Sequence, residues 1–221
     1  VRCLIVYGMG SVHTRAALAH YDGPWIALDL GYWDRRREDY ALRVSVNSLH
    51  PDQHLDDFGP SRWDARQVEI EDTHDPDGHC LVAGMGRAHI RYTGQSSWDE
   101  SAIARARKRW GNRVVYRPKP ASKAVQQHSP IRKALQGCSY VLTHHSNVGV
   151  DAVLQGIPVA SEQGAVRWLY PNRLDNRPAD DSQRLDFLRR LAWWNWRTSE
   201  VSVFWKFLQE RAHENPPWLR P

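Results

Sequence analysis

Residues 139–161, SYVLTHHSNVGVDAVLQGIPVAS, constrain the fold more than any other stretch of the chain. An apolar run is followed by a polar knot, Thr143-His144-His145-Ser146-Asn147, then by a helical pattern. A second apolar run is opened by Gly156-Ile157-Pro158. This order predicts a strand–loop–helix–strand unit, the building block of a parallel sheet with covered faces. In open α/β sheets, ligands bind outside the carboxyl ends of the strands. A helix start there also offers unpaired N–H groups and a partial positive charge. The knot therefore reads as the seat of a phosphorylated ligand, a nucleotide being the natural case.

A chain of 221 residues can hold one sizeable core or two small ones. Its 30 Lys+Arg against 25 Asp+Glu leave a net charge of +5, compatible with a polyanionic partner without requiring one. Cys3, Cys80 and Cys138 border apolar runs and show no metal spacing, which predicts three buried thiols in a reducing compartment. With no long apolar run and no leader pattern, the expected location is the cytoplasm. Six of the 11 Trp residues crowd the C-terminal quarter, at 168, 193, 194, 196, 205 and 218. Their amphipathic setting favours core packing over base stacking.

The chain repeats one short pattern. LIVYGMGSVH at 4–13 and LVAGMGRAH at 81–89 are both an apolar strand followed by Gly-Met-Gly-x-x-His. Glycines directly after a strand allow a tight turn and close approach of backbone to ligand. Neither copy is a dinucleotide fingerprint. In the first half the pattern predicts strands at 3–7, 24–30 and 40–46 and a helix at 11–21. An Asp/Pro/His-rich connection at 51–78 holds a short helix near 61–68. In the second half it predicts strands at 80–83, 113–116, 140–143 and 158–160, with helices at 97–110, 130–136 and 148–155. Ser96 or Ser97 is the expected cap of the 97–110 helix. Residues 182–212 read as helical, broken at Arg197-Thr198-Ser199.

An Arg-x-Lys-Pro strand end, a short helix, a strand, a His-Ser-Asn helix start, an acid in that helix and Gly-x-Pro-Val occur here in that order. They fall at Arg117, Lys119, His144, His145, Ser146, Asn147, Asp151 and Gly156 to Val159. This series resembles the C-terminal half of GT-B glycosyltransferases, particularly the capsule-polysaccharide type and small phage-encoded proteins of that kind. The resemblance covers residues 80–212 and is thin before them. It implies an α/β fold of two Rossmann-like half-domains. The two are a reduced N-terminal acceptor half with its linker (1–78) and a nucleotide-sugar half (79–181), joined by C-terminal helices packing back on the first half (182–221).

The resemblance also implies roles. A UDP- or GDP-sugar is the co-substrate, with no obligatory cofactor and no metal. Arg117, Lys119, Arg87 and the amides of 146–149 meet the diphosphate, and Asp151 meets the ribose hydroxyls. His144 and His145 flank the ligand, though strand alternation allows only one of them to face it. Ser146 and Asn147 are both candidates for the helix cap. The general base comes from the first half, Asp29 at a strand end or His13 after the first Gly-Met-Gly, with Gly10 and Ser11 beside it. His74-Asp75-Pro76-Asp77-Gly78-His79 contains Asp-x-Asp, a metal signature elsewhere, but reads here as turn chemistry.

The acceptor implied by basic charge and phage resemblance is a hydroxymethylated base in DNA, with Trp33 or a C-terminal Trp filling the stack of a flipped base. The alternatives are a surface polysaccharide acceptor, a sugar-nucleotide epimerase, and a non-catalytic binding module on a degraded GT-B fold.

Overall fold

A computed structural model describes residues 3–8, 11–35, 38–51, 54–119 and 130–213. It is an α/β structure with two four-stranded sheets. Residues up to 68 and from 187 onward form one compact unit, and 69–186 form the other.

The second unit is built on four parallel strands, β4 (His79–Ala83), β5 (Val114–Arg117), β6 (Cys138–Thr143) and β7 (Val159–Ser161). Their order is β5-β4-β6-β7. The two central strands are continuous apolar runs because both faces are covered. Cys80, Leu81, Val82, Val141 and Leu142 have no exposed surface. The Trp98–Trp110 helix packs on this sheet through Trp98, Ala102, Ala106 and Trp110, a four-residue spacing that keeps them on one face. Asp99 and Glu100 open the helix and Arg107, Lys108 and Arg109 close it, in the sense the helix dipole favours. Ser97 holds the cap position but its side chain makes no cap bond. Instead, the Asp99 carboxylate accepts the amide of Met85 at 2.9 Å and the hydroxyl of Tyr116 at 2.6 Å.

The first unit contains β1 (Leu4–Tyr7), β2 (Trp25–Leu30), β3 (Ala41–Val46) and β8 (Asn195–Arg197), in the order β1-β2-β3-β8. Only β1 and β2 are parallel; β3 runs against both of its neighbours. A ten-residue loop with a charged break is too short for a helical crossover, so β3 has to return antiparallel. Strand β8 falls inside the stretch expected to be helical. The observed helices are Asp181–Ala192 and Val201–His213, and the break between them is a strand plus a short 3-10 turn at Thr198–Glu200.

Several indoles go into this core, whereas Trp168 of the second unit is exposed. Trp194 has no exposed surface, and its Nε1–H donates to His54 O at 2.8 Å. The buried Trp196 donates to Trp193 O at 2.7 Å. Trp33, expected as a stacking ring for a base, is buried edge-on against Trp63 and cannot reach a ligand. Trp218 lies outside the described residues. Cys80 and Cys138 are buried as expected, but Cys3 is exposed, since it precedes an edge strand that has no outer neighbour among the described residues. No described helix is long and apolar enough to cross a membrane.

Candidate functional site

After β4 the chain turns toward β5, and after β6 it turns away toward β7. The carboxyl ends of β4 and β6 thus flank the switch point of the second sheet, the place where doubly wound folds bind ligands. The β4 end supplies Gly84-Met85-Gly86, and the β6 end supplies His144 to Asn147. The neighbouring β5 end supplies Arg117 and Lys119.

These loops hold one another. The amide of Gly84 donates to the carbonyl of Arg117 at 2.9 Å. A Cβ on Gly86 would meet Lys119 Cγ at 3.5 Å, so the lysine stem runs along the glycine turn. A Cβ on Gly84 would stand 2.9 Å from both Asp99 Oδ2 and the Tyr116 hydroxyl, which is why the turn carries no side chain there. Burial, reinforced by the Asp99 carboxylate, pushes the Tyr116 phenol up to about 12, so it stays a donor to that carboxylate. Lys119 and Arg87 are exposed and Arg117 is half-buried.

The helix start differs from expectation. The Ser146 amide donates to Thr143 Oγ1 at 3.2 Å, and the Val148 amide to Ser146 Oγ at 3.3 Å. The Gly149 amide donates to the Ser146 carbonyl at 3.0 Å. Asn147 takes the cap position without a side-chain cap bond. Three of the amides expected to meet a diphosphate are therefore engaged within the turn, those of Ser146 and Val148 by hydroxyls and that of Gly149 by a carbonyl. Charge at this edge comes from side chains. Asp151 sits half-buried in the first turn of the Val148–Leu154 helix.

The two adjacent histidines divide as strand alternation requires. His144 is 1% exposed and His145 half-buried. Burial pushes the His144 imidazole below its ordinary value, against the pull of Glu162 and Asp99. His89, in the first turns of the Arg87–Thr93 helix, stacks on His145 with ring centroids 3.4 Å apart. Sequence reading gave His89 no part, because nothing along the chain joins it to the residues after β6.

The first-unit candidates are arranged differently. Asp29 is paired with Arg43 at 2.8 Å, the residue directly opposite it on antiparallel β3. Ser11 caps the Val12–Ala19 helix by accepting the His13 amide at 3.1 Å, and the His13 side chain is exposed. Gly10 lies outside the described residues. The Asp75–Asp77 segment is a turn: Asp75 Oδ1 accepts the Asp77 amide at 3.0 Å, and the Asp75 carbonyl accepts the Gly78 amide.

No family model matches this chain, and no curated protein matches it by sequence. A solved structure does match in fold. The chain is similar to Thermosulfurimonas dismutans KpsC, a beta Kdo 2,7 transferase. The TM-score is 0.53 at 13% identity, over 94% of this chain and 85% of that one. At that identity the likeness is one of fold. It agrees with the two-sheet, GT-B-like architecture expected from the motif series around residues 117–159.

Proposed function

We propose that the chain is a glycosyltransferase that moves a sugar from a nucleotide-sugar donor to an acceptor hydroxyl. The reading rests on one observation above all: the Arg117–Lys119 loop is held against the glycine turn of β4, beside the switch point. Two cations next to a turn with glycine on either side of the buried Met85 suit a phosphate group that must come close to backbone. The fold shared with a transferase supports the same reading.

In this mechanism Arg117 and Lys119 stabilise the charge that develops on the leaving phosphates, with Arg87 at the rim. Ser146 and Asn147 contribute side-chain hydrogen bonds, and Asp151 accepts from the ribose. Donor binding takes place within the second unit. Of the two candidate bases, the His13 side chain is exposed, whereas Asp29 is already paired with Arg43.

A thermal-shift screen of common nucleotides and nucleotide sugars tests the donor. One nucleotide base should stabilise the chain selectively, by about 2.7 kcal/mol at a hundredfold excess over Kd. Lys119→Ala and Asp151→Ala should each diminish that shift. If no nucleotide raises the melting temperature, the transferase reading is lost. The acceptor is tested separately. Duplex binding that weakens steeply with salt assigns a hydroxymethylated DNA base, and its absence assigns a carbohydrate hydroxyl.

A further inference from the structure

His89, from the Arg87–Thr93 helix, meets His144 and His145, from the loop after β6, at the β4/β6 switch point. His144 stands edge-on to the other two rings, at centroid distances of 5.0 Å and 5.4 Å. Trp98 closes the inner side, edge-on to His144 at 5.5 Å. Among the described residues this is the one group of three metal-ligating side chains whose ligand atoms all lie within 4.8 Å of one another.

The hydrogen bonding of His144 fixes its tautomer. Its Nε2 lies 2.6 Å from Gln95 Oε1, with Glu162 Oε2 3.7 Å away. Both oxygens can only accept, so the proton is on Nε2 and Nδ1 carries the lone pair. That Nδ1 is buried and has no hydrogen-bond partner. A buried acceptor without a donor is unusual in a folded protein and calls for an explanation. The arrangement matches metal-binding histidines, which donate their second ring N–H to an oxygen that orients the ring.

We propose that His89, His144 and His145 bind one divalent transition-metal ion, with His144 ligating through Nδ1 and Gln95 acting as its positioning residue. Three neutral imidazoles favour zinc and its neighbours over magnesium or calcium, which prefer oxygen. Three protein ligands leave a fourth position for water or an anionic oxygen, as open zinc sites do. Zinc–nitrogen bonds of about 2.0–2.1 Å place tetrahedral ligand atoms about 3.3 Å apart, so the rings must draw together on binding. An imidazole lone pair lies in the ring plane, so the two stacked rings cannot both aim at one ion. Ligation turns His89 or His145 about its ring bond. This inference stands independently of the nucleotide-sugar reading.

The test is zinc titration of the full chain by calorimetry, with cobalt as a spectroscopic probe. One saturable equivalent of zinc is expected, and cobalt should give the intense visible bands of a tetrahedral site. His89→Asn and His145→Asn should each remove the saturable equivalent, while His20→Asn, which changes an exposed histidine of the first unit, keeps it. Gln95→Met alters an exposed side chain and should weaken zinc binding about tenfold or more. It keeps the test decisive if the histidine variants fail to fold. The proposal is overturned by the absence of a saturable equivalent, by its survival in the His89→Asn/His145→Asn double variant, or by unchanged affinity in Gln95→Met.

Discussion

Arg66 donates from a single guanidinium nitrogen to both carboxylate oxygens of Glu200, at 2.8 and 2.6 Å. Arg62 adds a third contact at 3.2 Å, and its guanidinium carbon lies 3.4 Å from the ring centroid of Trp196. Glu200 also accepts the Arg197 amide at 2.8 Å, which joins the helical segment around residues 61–66 to the start of the last helix. Removing the carboxylate would leave a buried guanidinium without its counter-charge.

Glu200→Gln is therefore expected to destabilise the chain by roughly 1–3 kcal/mol, the lower end reflecting partial exposure. Burial opposes the Glu200 charge, but the Arg197 amide and the two guanidinium groups outweigh it and hold the carboxyl below its ordinary value of 4.5. A group with a depressed folded value stabilises fully above its unfolded value and loses that contribution as pH falls through the folded one. Denaturant midpoints of wild type and variant should differ by a constant amount near neutrality. The difference should shrink as pH falls below about 4.5. A pH-independent difference would remove the charge from the explanation.

Gly84→Ala would place a methyl group 2.9 Å from both members of the Asp99–Tyr116 pair. The pair must part, at a cost of about 1–3 kcal/mol. Because Asp99 also holds the Met85 amide, the glycine turn should loosen with it. The nucleotide-induced thermal shift should fall together with the baseline melting temperature. Unchanged values of both would show that the turn has slack that the geometry does not suggest.

Thiol chemistry should separate the three cysteines. Burial pushes the Cys80 thiol up to about 12 and the Cys138 thiol up to about 11, so neither supplies thiolate at neutral pH. A thiol reagent should modify the exposed Cys3 quickly and the other two only after denaturant is added, as read by mass spectrometry. Rapid modification of two or more native thiols would contradict this core.

Local pattern carried most of the second unit. The apolar runs of β4 and β6, the glycine turn and the four-residue spacing of Trp98–Trp110 are all written within short windows of sequence. What escaped were pairings made at a distance. Strand β8 is three residues of Trp-rich chain that become a strand only beside β3. Asp29 is tied up because the antiparallel register puts Arg43 opposite it. The amides of Ser146 and Val148 read as open until the Thr143 and Ser146 hydroxyls fold onto them. His89 belongs beside His144 and His145 only once β4 and β6 lie side by side.

Strand β8 also sets an order of events. Residues 69–186 are contiguous and can fold as they leave the ribosome. The first sheet cannot be completed until residue 197 has been synthesised, because Trp196 and Arg197 pair with Leu42 and Ala41. Strands β1 to β3 must wait for residues 195–197, so a product terminated before them would present β3 as a bare edge, open to pairing with other chains.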